Sequence, residues 1–104
     1  SASEKITIHE ARRRWRDLVE RRLPRAARDR TRDWPVRFDH CFARILLDNT
    51  HGRPWREVVS PPAWLNTNEE DLLEAINLGE EVLDGQADLH ALNRRSLTMR
   101  RKSR

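Results

Sequence analysis

Asp39-His40-Cys41 sets a carboxylate, an imidazole and a thiol side by side, the residue types of a nucleophilic centre. The spacing defeats that use. Adjacent residues of a helix point about 100° apart, so no thiol–imidazole pair can form within the triplet. Cys41 falls on an apolar stripe with Phe38, Phe42 and Ile45 and reads as a small core residue. A pair between Cys41 and His51 or His90, made through the fold, stays open, and no catalytic residue is assigned. His9, His40, His51 and His90 follow no i, i+3 or i, i+4 pattern, and a single cysteine cannot build a thiolate cage, so no metal site is expected. Glu69-Glu70-Asp71 looks like a first helical turn, where carboxylates suit the positive helix end. No cofactor is expected.

The chemistry best represented is anion recognition. Nineteen of the 21 basic residues are arginine, whose planar fork grips carboxylates or phosphates bidentately. Charge is segregated: residues 1–37 carry 12 Lys and Arg against 6 acids, residues 38–93 carry 3 against 11, and residues 94–104 carry 6 against none. Arg12, Arg13, Arg16, Arg25, Arg28, Arg30 and Arg32 are the candidate contacts of the first segment, with Arg94, Arg95, Arg100 and Arg101 joining from the second. His51-Gly52-Arg53-Pro54 has the Gly-Arg-Pro core of a minor-groove hook, but it lacks basic flanks, and a helix stop at Gly52 with a restart at Pro54 explains it without DNA. Of the four tryptophans, Trp15, Trp34 and Trp64 read as packing anchors. Trp55, beside Arg53 and Arg56, is the one offered to a partner.

Positioning these groups falls to a chain with enough length for one core. Apolar and charged residues each make up 37% of it. Few glycines, no tyrosine and little β-branched clustering predict an all-α fold of about four helices. With no run of about eighteen apolar residues and no apolar signal core, the protein is expected to be soluble, outside the membrane, and intracellular, cytoplasmic or nuclear.

A first helix is predicted from Thr7 to Leu23, with Thr7 and Glu10 as a capping box and Pro24 as its stop. Residues 25–33 read as a linker or weak extension. Together, residues 1–33 form a basic N-terminal unit. Trp34-Pro35 opens a core helix bearing Phe38, Cys41, Phe42, Ile45, Leu46 and Asn49, ended by Gly52. A short turn follows Pro54, and Ala63-Trp64-Leu65 anchors the chain after two prolines. The helix at 68–84 takes Thr67 and Glu70 as its capping box, with Gly79 marking close approach by a neighbour. A last helix over 87–97 completes a helical core of residues 34–97, and residues 98–104 form a basic, mobile tail.

The run from Trp34 through Asn49, followed by Gly52, Trp55, Pro62-Ala-Trp64 and the Leu89 to Leu97 pattern, resembles a group of small uncharacterised proteins sometimes labelled acetyltransferases. The likeness covers about residues 34–99. That label implies acetyl-coenzyme A chemistry, whose common fold needs a sheet and a glycine-rich turn at a helix start. Three scattered glycines and no strand pattern give nothing to match residue by residue.

These readings lead to a non-enzymatic helical interaction module that binds an acidic protein partner or nucleic acid through its arginines. The alternatives are an acetyltransferase-like enzyme or accessory subunit, and a self-assembling protein in which basic arms meet the acidic helix of another copy. The acidic middle segment tilts the partner towards protein.

Overall fold

The computed structural model describes residues 7–102, and within them the chain is all-α with no strand. Helix α1 (Ile8–Asp17) starts at Thr7, whose Oγ1 accepts from the Glu10 amide at 3.1 Å. The Glu10 carboxylate does not close the box. It turns to Arg13 Nη2 at 2.7 Å and Arg14 Nε at 3.3 Å.

Pro24 does not end this helix, contrary to expectation. A π-helical turn, Leu18–Arg22, leads directly into α2 (Leu23–Ala27), with the Leu23 amide donating to Leu18 O five residues back. A proline ring clashes with the carbonyl four residues earlier in a regular helix. The wider turn makes room for it and absorbs the missing donor. The N-terminal segment is also integral to the core, since Ala11, Trp15, Leu18, Val19 and Leu23 are all buried.

After a 3-10 turn at Arg30–Arg32, α3 runs from Asp39 to His51. It begins later than Trp34-Pro35 suggested, because Phe38 is its extended N-cap residue (φ −105°, ψ 152°). Phe38 is therefore not in the core. It is 65% exposed and stacks on His40 at 5.9 Å between ring centroids. Trp34 packs edge-on against Phe42 at 5.8 Å and ties the loop to the core instead. Gly52 ends α3 at φ +73°, the left-handed conformation that suits glycine.

A 3-10 turn (Trp55–Glu57) and the short α4 (Ala63–Asn66) lead to α5 (Glu69–Leu83). Ala63 is buried and Trp64 packs against the core, while Leu65 is exposed. The cap of α5 is Asn68, whose Oδ1 accepts from the Asp71 amide at 2.8 Å. Thr67, expected in that role, is buried and extended instead, because its backbone closes α4 through the Ala63 carbonyl. Helix α6 (Leu89–Lys102) runs five residues past its expected end and includes most of what was read as a mobile tail. Ser103 and Arg104 lie outside the described residues.

Phe42, Ile45, Leu46, Leu72, Ile76, Leu89 and Leu92 are buried together, with α3 packed between α5 and α6. Leu97, expected in that stripe, is 45% exposed. Gly79 sits where α5 meets the π-turn: a Cβ there would lie 2.5 Å from Leu18 Cδ2 and 3.1 Å from Leu46 Cδ1. The close approach expected from the sequence is present.

Candidate interaction surface

The arginines divide by what they touch. On α1, Arg13 is bound to Glu10, Arg16 Nε lies 3.4 Å from Glu20 and its guanidinium sits over the Trp64 ring, and Arg12 donates to the Leu65 carbonyl at 3.1 Å. Hydrogen bonds from Arg13 hold the Glu10 carboxyl below its usual range. Arg22 grips Glu80 of α5 through two bonds of 2.5 and 2.8 Å, which likewise lower the Glu80 carboxyl. The first three arginines assigned to partner binding are thus largely engaged within the chain.

Arg53 lies 3.7 Å from Glu57, and Arg56 covers the Trp55 ring at 5.2 Å. Trp55 is half-buried, with its amide donating to Asp48 Oδ1 at 2.9 Å. The tetrapeptide 51–54 spans the end of α3 and the start of the next turn, with Pro54 buried. Arg32 lies over Trp34 at 5.1 Å.

A polar centre absent from the sequence reading joins α3 to α6. Asp48 is fully buried. Its carboxylate accepts from Ser96 Oγ at 2.6 Å and from Arg100 Nε and Nη2 at 2.8 and 3.1 Å. Arg44 completes the group, donating to Ser96 Oγ at 2.7 Å and Asn93 Oδ1 at 2.8 Å. Burial, and next the charge of Arg100, push the Arg44 guanidinium down. Arg100, assigned to the tail, is therefore a structural cation. The signal for it was Asp48 itself, a carboxylate three residues after Ile45 on a buried stripe. Such a group requires a cation or donors from elsewhere.

The unengaged cations cluster elsewhere. The side chains of Arg25, Arg28, Arg30 and Arg37 are exposed and form no hydrogen bond or ion pair among the described residues, and the same holds for the side chains of Arg94, Arg95, Arg101 and Lys102. The two groups are linked where His90 Nε2 meets the Asp33 carbonyl at 2.7 Å, bringing the 29–38 loop against the start of α6. Next to this loop is an open groove of about 730 Å³ with Trp34, Ala27 and Pro24 on its walls. Arg28, Arg30 and Arg37 line it, but so do Glu20, Asp29, Asp33 and Asp39, and the mixed signs leave it without a net preference for anions.

His40 lies against Asp39, 3.5 Å away, and Cys41 is half-buried with a free thiol. Among the described residues no three His, Cys, Asp or Glu side chains converge as a metal ion would need. No helix among them is long and apolar enough to cross a membrane. No family model, no curated protein and no solved structure matches this chain.

Proposed function

We propose that the protein is a non-enzymatic helical interaction module that binds an acidic protein surface through its unpaired arginines. One observation carries this reading: the chain neutralises some arginines internally and leaves the Arg94 and Arg101 side chains without an ion-pair partner among the described residues, on either side of exposed Leu97. Positions 94, 97 and 101 share one face of α6, so an apolar residue stands between two forks suited to carboxylates. A centre of that kind, ringed by charge, is how many interfaces are built. Nucleic acid is the weaker alternative, since Glu70, Glu74 and Glu81 on α5, exposed and without an ion pair among the described residues, repel a polyanion that wraps the molecule.

The test titrates labelled polyglutamate and labelled duplex DNA at two salt concentrations, using the whole chain. Polyglutamate should bind, and Arg94→Ala with Arg101→Ala should weaken it severalfold without altering the fold. Tight DNA binding with a log–log salt slope of roughly −5, as about six phosphate contacts give, would transfer the assignment to nucleic acid. Binding to neither would remove the reading.

A further inference from the structure

Two rows of exposed side chains on different helices have the same spacing and opposite charge. Glu70, Glu74, Asn77 and Glu81 lie along α5 at intervals of four, three and four residues, and all are exposed. His90, Arg94, Leu97 and Arg101 lie along α6 at the same intervals and are exposed as well. At about 1.5 Å per residue each row is about 16 Å long, and these intervals keep each on one face of its helix. The three carboxylates and the two guanidinium groups form no ion pair among the described residues.

Within one molecule the rows cannot meet. Leu72, Ala75, Ile76, Gly79 and Val82 bury the opposite face of α5, while Leu89, Leu92 and Ser96 bury the other face of α6. Both helices pack on α3, so both charged rows face solvent. Set side by side in register, they oppose Glu74 to Arg94 and Glu81 to Arg101, with Leu97 at the centre. There it meets Asn77 and the half-buried Leu73 that flanks the acidic row.

We infer that the acidic row of α5 in one copy is the surface that the basic row of α6 binds in a second copy. This rests on the interaction-module reading above and names its partner. The contact joins two different patches, so each copy keeps one unused row through which assembly continues. Exposed ion pairs contribute at most about 1 kcal/mol each, and salt screens them. The association is therefore weak and confined to low ionic strength.

Sedimentation of the whole chain at about 20 mM and about 500 mM salt tests this, since screening lengths differ severalfold between them. Mass should rise with concentration at low salt and return to the monomer at high salt. Two charge-reversed chains decide the geometry. Glu74→Arg with Glu81→Arg destroys the acidic row, and Arg94→Glu with Arg101→Glu destroys the basic row. Each alone should be monomeric. Mixed in equal amounts they should associate again at low salt, because the basic row of the first meets the acidic row of the second, and the two reversed rows are opposite in charge as well, so that assembly continues in alternation. All four positions are exposed, so circular dichroism should show both chains folded; the corresponding Gln variants replace any chain that is not.

A wild-type chain that stays monomeric at low salt, or a mixture that fails to pair, overturns the inference. If that monomer still binds polyglutamate through Arg94 and Arg101, the interaction module stands and only its partner is wrong. If it binds neither, both readings fall.

Discussion

Asp48 in the third turn of α3 and Arg100 in the last turn of α6 are joined by bonds of 2.8 and 3.1 Å, the carboxylate being fully buried. This pair sets where the C-terminal segment goes. After Leu97 the half-buried Met99 is the one apolar side chain among the described residues, so the buried anion on α3 is a principal hold on the last turn of α6.

Removing either partner strands a charge. Asp48→Ala leaves Arg44 and Arg100 facing each other around Ser96 and should cost about 3–5 kcal/mol, as broken buried pairs do. Urea unfolding measures the loss. Hydrogen exchange should show the amides of residues 98–102 losing protection in Arg100→Ala as well, and unchanged protection there would sink the idea that this pair holds the segment down.

Phe42 is fully buried and meets Trp34 edge-on. Phe42→Ala should destabilise the fold by about 3–5 kcal/mol, the range for large aromatic truncations. Phe38→Ala, four residues earlier but 65% exposed, should be close to neutral. Denaturation midpoints of the two variants distinguish them.

Gly79→Ala puts a methyl into space held by Leu18 and Leu46, both buried. Leu18 must change rotamer inside a filled core, so overpacking should cost about 1–3 kcal/mol despite the better helix propensity of alanine. A variant more stable than the wild type would show that the core yields more easily than its packing implies.

The start of α5 offers a paired test. Asn68→Ala removes the cap to Asp71 and should cost about 1 kcal/mol. Thr67→Val should be neutral or stabilising, because the buried Thr67 hydroxyl has no hydrogen-bond partner among the described residues. The reverse order of effects would return the cap to Thr67.

Glu80 is held below its ordinary range by hydrogen bonds from Arg22. A carboxyl lowered in the folded state contributes stability that is fully present above its unfolded value and is lost as pH falls through the folded one. Because both side chains are partly exposed, the contribution is under about 1 kcal/mol. Comparing Glu80→Gln with the wild type across pH 2 to 6 should show the stability difference vanish at the acid end.

The sequence determined the helical class, the apolar stripes of α3 and α5, the stop at Gly52 and the close approach at Gly79. All of these follow from local rules: periodicity, left-handed glycine geometry and the lack of a side chain. It also determined the segregation of charge, which is plain counting. Only the tertiary structure decided which charges are available. Arg100 reads in the sequence as one more tail arginine, yet a buried carboxylate 52 residues earlier holds it half-buried between α3 and α6. Arg44 is likewise set by Asn93 and Ser96. Pro24 fails to stop the helix for a related reason, since its cost depends on whether the turn before it can widen, and that turn, Leu18–Arg22, packs against α3. Local propensity is written in neighbours a few residues apart. The pairing of a buried ion is written between residues that meet only when helices pack.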